Sequence, residues 1–245
     1  MGLTDYGKNN SAEEHARRVR DMFARISPRY DLLNHLLSIN IDKRWRRQVV
    51  EKLKPWVSHE SRILDVACGT GDLSIALFEN IGARVTGVDF CRPMLERAAR
   101  KESRVVFVEG DALQLPFDNE IFDAVTIAFG LRNLSSVEQG LGELRRVLKA
   151  NGKAAILEFS RPVVPGFRSL AAAYCTRVLP RIGGLISGSR SAYEYLPDSV
   201  SRFPDQEKLS AMMSEAGFAD VGFENLTGGI AALHTGRRSG TDFSL

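Results

Sequence analysis

The sequence predicts an α/β protein with a doubly wound sheet of seven strands, the last of them antiparallel. From Arg62 onward, short apolar runs alternate with amphipathic stretches, which is the pattern of parallel α/β sheets. Near the end of the chain, two apolar runs are joined only by Thr227–Gly229. A link this short connects antiparallel neighbours, because a parallel crossover needs about a dozen residues or more.

The individual elements follow from these runs in chain order. The five parallel strands are predicted at Arg62–Ala67, Arg84–Phe90, Val105–Glu109, Phe122–Phe129 and Lys153–Phe159. The helices between them are predicted at Asp72–Glu79, Met94–Arg100 and Val137–Leu148, the last ended by a turn at Lys149–Gly152. A further helix is predicted at Asp205–Ala216, followed by the final strands Asp220–Leu226 and Ile230–Thr235.

Two segments lie outside this sheet. Residues 1–58 are predicted to form a helical lid segment, with helical spacing from residue 12 and proline breaks at Pro28 and Pro55. Residues 59–245 form the main domain, with an insertion at 161–200 that is rich in Gly, Pro, Ser and small apolar residues. Because this insertion follows the fifth strand, it starts at the carboxyl edge of the sheet, and both segments are expected to cap the active site.

Composition narrows the class of protein. A chain of 245 residues that is 44% hydrophobic is long enough for one large domain with added segments. The first fifteen residues contain no apolar signal region and no run of about 18 apolar residues occurs, so a cytoplasmic location is expected. The three cysteines, Cys68, Cys91 and Cys175, lie far apart without a CxxC pair, which predicts packed thiols and no metal site.

The positive charge is concentrated near the amino terminus. Residues 17–54 hold eleven Lys and Arg against four acidic residues, while the net charge of the whole chain is +3. Such a basic segment favours an anionic lipid surface or nucleic acid, and a solvated helix face is the alternative that the sequence leaves open.

A glycine turn follows the first strand in the stretch LDVACGTGDL. Gly69, Thr70 and Gly71 allow the backbone to approach a ligand, and the next helix begins there with unpaired N–H groups. A dinucleotide fingerprint would have a third glycine where Ser74 stands, and Asp72 would place negative charge beside a pyrophosphate. A cationic ligand fits better, and S-adenosylmethionine, with its sulfonium and amino groups, is such a ligand for Asp65 or Asp72.

Two more carboxylates follow successive strands. Asp89 ends the second strand, where an acidic group accepts hydrogen bonds from ribose hydroxyls. Gly110, Asp111 and Ala112 follow the third strand, where the adenine of S-adenosylmethionine would lie. N-capping or turn roles are the structural alternative for each aspartate taken singly.

These motifs resemble a known family. LDVACGTGDL, GVDF and GDALQLPF are similar to motifs of class I S-adenosylmethionine-dependent methyltransferases. The stretches YDLLN from Tyr30, AFGLRN, RVLK from Arg146, EFS from Glu158, LPRIG and FPDQEKLSAMM resemble the menaquinone and ubiquinone biosynthesis C-methyltransferases. The chain departs from that pattern at Asp42, where the family often has histidine, and at Ala128, where it often has serine.

The resemblance implies a Rossmann-like methyltransferase fold and methylation of a ring carbon of a reduced demethylquinone. Tyr30 is then expected to contact the methionine carboxylate of the cofactor. Arg132 stays protonated, so it is a poor base, but beside the quinol oxygen it would stabilise the developing quinolate. Asn133 would orient the same oxygen or a water. A helix-capping asparagine and a solvated arginine are the structural alternative.

The implied partner is a prenylated quinol, with demethylmenaquinol as the expected acceptor and the ubiquinone precursor as a second one. Weak contact with an anionic membrane surface is expected, nucleic acid is not, and a homo-oligomer is left open. Three other functions stay open from the residues: an NAD-dependent oxidoreductase, a non-catalytic binding protein, and a methyltransferase for another phenol or a sterol.

Overall fold

The computed structural model describes residues 3–31, 38, 40–164 and 190–240. These residues form one seven-stranded sheet with the order β3-β2-β1-β4-β5-β7-β6. The strands are β1 (Arg62–Val66), β2 (Arg84–Asp89), β3 (Val106–Glu109), β4 (Phe122–Ala128), β5 (Leu148–Phe159), β6 (Phe218–Leu226) and β7 (Ala231–Arg238). Strand β7 pairs antiparallel with both β5 and β6, and the remaining pairs are parallel, so the predicted fold class is confirmed.

The helices lie on both faces of this sheet. Within the described residues they are α1 (Leu3–Ile26), α2 (Ile41–Leu53), α3 (Asp72–Ile81), α4 (Arg92–Lys101), α5 (Val137–Val147), α6 (Arg190–Arg202) and α7 (Gln206–Glu215). Most predicted boundaries agree with these to within two residues. Two boundaries differ by more, because β5 begins five residues before its predicted start and β7 ends three residues after its predicted end.

The predicted turn at Lys149–Gly152 lies inside β5 and not before it. Leu148 already pairs with Phe122, whereas the next paired residue, Lys153, lies opposite Ala124, so the four residues between bulge out of the ladder. Asn151 takes a positive φ of 63° there, which is the turn conformation that the sequence signalled. The prediction of a turn outside the strand was therefore wrong, since the pairing continues on both sides of the bulge.

Side chains alternate between two cores along each inner strand, as the pleat requires. In β1, Ile63 joins the core that contains α2 and α3, whereas Leu64 and Val66 join the core that contains α5 and α7. Asp65 faces the same side as Ile63, so its carboxylate lies beneath α3. This alternation decides which face of the sheet, and so which group of helices, each strand side chain packs against.

The amino-terminal segment has two different relations to the sheet. Helix α2 is part of the core, with Trp45, Val49, Val50 and Leu53 buried. Helix α1 instead lies against α4 and α6, at the edge where the parallel strands end. The predicted breaks at Pro28 and Pro55 begin short 3₁₀ turns. Of the predicted insertion, residues 165–189, including Cys175, lie outside the described residues.

Candidate active site

A cavity of about 260 Å³ lies at the carboxyl ends of β1, β2, β3 and β4. This is the edge where open α/β sheets bind ligands. Six of the residues predicted for the site line it, from five different elements of the fold: Tyr30, Gly69, Asp89, Asp111, Ala112 and Asn133. Helix α1 covers one side with Ala16, Arg20 and Phe23.

The glycine turn forms one wall of this cavity. Gly71 has φ of 81° and begins α3, and a Cβ there would lie 2.8 Å from the ring of Phe107 and 2.9 Å from the Ala98 Cβ. No residue with a side chain fits this position without displacing β3 or α4. Gly71 was predicted to contact the cofactor, but it lines neither this cavity nor the recess beside it, and its close packing shapes the turn that carries Gly69.

Asp89 joins the turn to the second strand. Its carboxylate accepts hydrogen bonds from the backbone N–H of Gly69 and of Cys91, each at 2.8 Å. Burial raises the pKa of Asp89 to about 6, and these N–H groups oppose that rise. Each carboxylate oxygen retains a second lone pair, so Asp89 can accept from a ligand while it holds Gly69 in place.

A smaller recess of about 40 Å³ adjoins the cavity and shares Tyr30 and Gly69 with it. It is lined by groups of both charges, including Arg46, Asp65 and Asp72, and by Thr70. A recess with both charges suits a zwitterion such as the amino-acid end of S-adenosylmethionine. The residues present therefore fit the cofactor that the sequence predicts.

Asp65 is buried at the base of this recess, and both of its carboxylate oxygens are hydrogen-bonded to other residues of the protein. Its two carboxylate oxygens accept hydrogen bonds from the Ser74 hydroxyl at 2.6 Å and the Thr126 hydroxyl at 2.8 Å. Burial raises the pKa of Asp65 to about 6, and the two hydroxyls oppose it. The carboxylate thus ties β1, α3 and β4 together directly under the glycine turn.

A chain of polar contacts connects the amino-terminal segment to the glycine turn. The Thr70 hydroxyl donates to Asp31 at 2.5 Å, and Lys101 lies 2.7 Å from both Asp31 and Asp72. Arg46 lies 2.6 Å from Asp42 and 3.4 Å from Asp72. Asp42 therefore serves to hold Arg46 at the recess.

Arg132 and Asn133 follow a strained turn at the end of β4. Phe129 has a positive φ of 58°, which costs a residue other than glycine about 1–3 kcal/mol. Its carbonyl accepts hydrogen bonds from Arg132 Nη1 and, at 3.3 Å, from Asn133 Nδ2. The two side chains thus hold this turn, and of the two only Asn133 lines the cavity.

Arg132 is buried in an ion pair that the sequence did not indicate. Its side chain is 8% exposed, and Nη1 lies 3.1 and 3.0 Å from the two carboxylate oxygens of Glu158. The guanidinium also lies over the ring of Phe159, 5.2 Å from its centroid. Its Nε is buried and has no hydrogen-bond partner among the described residues. Burial raises the pKa of Glu158, and Arg132 opposes that rise.

Two further hydrogen bonds were not predicted from the sequence. The Tyr195 hydroxyl, from α6, donates to Asn133 Oδ1 at 3.1 Å and so brings the described part of the insertion to the cavity. The Trp45 indole donates to the Thr227 hydroxyl at 2.9 Å. Both hydrogen bonds join residues far apart in the chain, so no local sequence pattern could have predicted them.

Neither a membrane span nor a metal site is found in the parts of the chain that the structure describes. No helix there is long and apolar enough to cross a bilayer. No cluster of three or more His, Cys, Asp or Glu side chains there is placed to hold a metal ion.

The same arrangement of sheet and helices occurs in solved methyltransferases. An S-adenosylmethionine-dependent methyltransferase from Thermotoga maritima matches with a TM-score of 0.65 at 21% identity, over 89% of this chain and 99% of that one. Phosphoethanolamine N-methyltransferase 2 from Haemonchus contortus, solved with S-adenosyl-L-methionine, matches with a TM-score of 0.58 at 16% identity, over 79% of this chain and 53% of that one. These likenesses establish the class I methyltransferase fold.

Sequence comparison identifies the family. Residues 10–238 match the model of the ubiE/COQ5 methyltransferase family, and the chain belongs to that family. Demethylmenaquinone methyltransferase of Thermus thermophilus is 53% identical over 222 residues, which cover 89% of this chain and all of the relative. Ubiquinone/menaquinone biosynthesis C-methyltransferase UbiE of Citrifermentans bemidjiense is 46% identical over 233 residues, covering 92% of this chain and 98% of the relative.

Family membership confirms the predicted class. The protein is an S-adenosylmethionine-dependent C-methyltransferase. The alternative of an NAD-dependent oxidoreductase on the same fold is thereby set aside.

Proposed function

We propose that the protein transfers a methyl group from S-adenosylmethionine to a ring carbon of demethylmenaquinol, giving menaquinol. The ubiquinone precursor 2-methoxy-6-polyprenyl-1,4-benzoquinol is the second acceptor that we propose. The observation that carries this proposal is the cavity, which combines residues predicted to bind the cofactor with Asn133, in a chain about half identical to a demethylmenaquinone methyltransferase.

The cofactor is proposed to lie across the cavity and the recess. Asp89 would accept the ribose hydroxyls, with the adenine beside Asp111 and Ala112. The methionine end would enter the recess, where Tyr30 and Thr70 flank the glycine turn. When bound, S-adenosylmethionine supplies an electrophilic methyl group on its sulfonium.

Asn133 and Arg132 are proposed to act on the acceptor. A ring carbon becomes nucleophilic when a neighbouring hydroxyl loses its proton, so the protein must favour the quinolate. Asn133 lines the cavity and would orient the quinol oxygen, while Tyr195 fixes the Asn133 amide. Arg132 precedes Asn133 in the chain, and its positive charge would stabilise the quinol oxygen as negative charge develops on that oxygen. Glu158 holds this guanidinium and so is a positioning residue in the proposal.

A labelling experiment tests the reaction. The protein is incubated with S-adenosylmethionine carrying an isotopically labelled methyl group and with each acceptor, reduced chemically before mixing. Label is expected in the new methyl group on the ring of menaquinol, and the unreduced quinone is the control because it has no hydroxyl to deprotonate. Label in another phenolic acceptor, with none in either quinol, would contradict the proposed substrate.

We also propose that the basic end of the protein contacts anionic lipid. The four arginines of α1 from residue 17 onward are exposed, namely Arg17, Arg18, Arg20 and Arg25. Each basic residue near an anionic surface adds about 1 kcal/mol of attraction. The lipid-borne acceptor would then be met at the membrane surface.

Vesicle sedimentation measures this attraction. Replacing Arg17 and Arg18 by Gln should weaken binding to anionic vesicles by about 2 kcal/mol, roughly thirtyfold, at low salt. Replacing Arg84 and Arg104, two exposed arginines elsewhere, should change it much less. Equal pelleting of both double variants with anionic vesicles would mean that α1 presents only a solvated basic face.

A further inference from the structure

The loop Gly110–Phe117 after β3 carries four of the residues that line the cavity, from Gly110 to Leu113. It has little regular structure of its own. Asp111 is exposed and makes one isolated bridge with Gln114, and its carboxylate accepts from the Leu113 N–H at 2.9 Å. Something outside the loop must therefore fix its position.

Side chains of helix α5 form hydrogen bonds with the backbone of this loop. Arg146 Nη2 donates to the Leu115 carbonyl at 3.0 Å, and Nη1 donates to the Phe117 carbonyl at 2.7 Å. Glu143 accepts from the Leu115 N–H at 2.7 Å. One turn earlier, the Gln139 amide donates to the Leu113 carbonyl at 2.9 Å.

Arg146 and Glu143, the two charged residues that bind the loop backbone, also form an ion pair with each other. Arg146 Nε and Nη2 lie 2.6 and 2.7 Å from the two carboxylate oxygens of Glu143, so the pair is bidentate. Their pairing lowers the pKa of Glu143 and raises that of Arg146. A planar guanidinium is required, because an ammonium group cannot meet the carboxylate and two carbonyls in these directions.

We propose that Arg146 and Glu143 are positioning residues for cofactor binding: they hold the Gly110–Phe117 loop so that Asp111 and Ala112 meet the adenine. This inference rests on the proposed placement of the cofactor. It gives a role to Arg146 in the RVLK stretch, which touches neither the cavity nor the recess.

Calorimetry with S-adenosylhomocysteine tests the proposal. Arg146→Lys should raise the dissociation constant of S-adenosylhomocysteine about tenfold, because several hydrogen bonds between this side chain and the loop backbone are lost while the positive charge stays. The turnover rate at saturating S-adenosylmethionine should stay within about twofold of the wild type, because the acceptor side is untouched. Arg145→Lys is the matched control, as its neighbour Arg145 donates to the Gly217 carbonyl at 3.0 Å, away from the loop.

A double-mutant cycle separates positioning from general destabilisation. If Arg146 acts by placing Asp111, then Asp111→Ala should weaken binding about fivefold in the wild type and less than about twofold in Arg146→Lys. Glu143→Gln keeps the shape of the side chain and should show the same loss of additivity, and it serves if Arg146→Lys does not fold. Fully additive losses, or an unchanged dissociation constant in both variants, would overturn the proposal. An unchanged constant in Asp111→Ala alone would instead contradict the placement of the cofactor.

Discussion

Replacing Asp89 by alanine is expected to weaken S-adenosylmethionine binding by about 3 kcal/mol, more than a hundredfold. A hydrogen bond to a charged group contributes about 1.5–3 kcal/mol, and this carboxylate would lose the ribose hydroxyls. The same change frees the Gly69 N–H, which Asp89 holds at 2.8 Å, so the glycine turn loses its anchor as well. Calorimetry measures the loss, and Glu79→Ala, which removes an exposed carboxylate of α3, is the control.

The pH dependence of binding provides a second test of Asp89. Because its pKa is raised to about 6, the carboxylate takes up a proton as the pH falls through that value. Affinity should then fall below pH 6, by at most about tenfold per unit for this group. The free energy of unfolding of the free protein should change in the opposite direction. Because the pKa of Asp89 is raised from 3.8 to about 6, its contribution to stability is fully present below pH 3.8 and is lost as the pH rises through about 6.

Asp89→Asn is the matched variant for this test. It keeps the shape of the side chain but removes the titrating group, so the pH dependence of affinity should become flatter, with the remainder due to Asp65. If the variant binds as tightly as the wild type at pH 8 and keeps the full dependence, the cofactor does not meet Asp89.

The sequence predicted the fold well because each element carried a local signal. Short runs rich in apolar residues marked the parallel strands, and the short Thr227–Gly229 link decided the direction of β7. The same local signal was misleading at Lys149–Gly152. A turn and a bulge use the same residues, and only the partner strand β4 decides between them.

The site was predicted to the level of strand ends but not of side-chain directions. Six predicted residues do meet at one cavity, because parallel strands end at the same edge. Which way Asp65 faces depends on the pleat, and its partners Ser74 and Thr126 come from two other elements. The pairing of Arg132 with Glu158 spans 26 residues and needs two adjacent strands in register, which no spacing along one strand reveals.

That pairing changes how the role of Arg132 must be tested. Arg132→Ala should lower kcat by about a hundredfold, the usual effect of removing one preorganised donor for developing charge, while the dissociation constant for S-adenosylmethionine hardly changes. Removing Arg132 also leaves Glu158 buried without its partner, and breaking a buried pair costs about 3–5 kcal/mol of stability. A loss of activity alone would therefore not distinguish catalysis from folding.

Glu158 provides the control that does distinguish them. With Arg132 absent, burial should make Glu158 take up a proton, and Arg132→Ala combined with Glu158→Gln should recover stability without recovering kcat. Glu158→Gln alone keeps the guanidinium and removes the charge that opposes it, so its kcat should fall far less than that of Arg132→Ala. Arg132→Lys should be intermediate, because it keeps the charge but not the planar fork that meets Glu158 and the Phe129 carbonyl.

The pH profile of single-turnover methylation completes the argument on Arg132. If its charge favours the quinolate, raising the pH from about 6 to 9 should restore part of the rate in Arg132→Ala, since hydroxide then supplies the quinolate that the protein no longer favours. A role confined to holding the strained Phe129 turn predicts a lower rate at every pH and a parallel loss of thermal stability. The double variant separates the two: recovered stability together with a recovered kcat would mean that Arg132 only holds the turn, whereas recovered stability with a slow, pH-rescued rate would support its action on the acceptor.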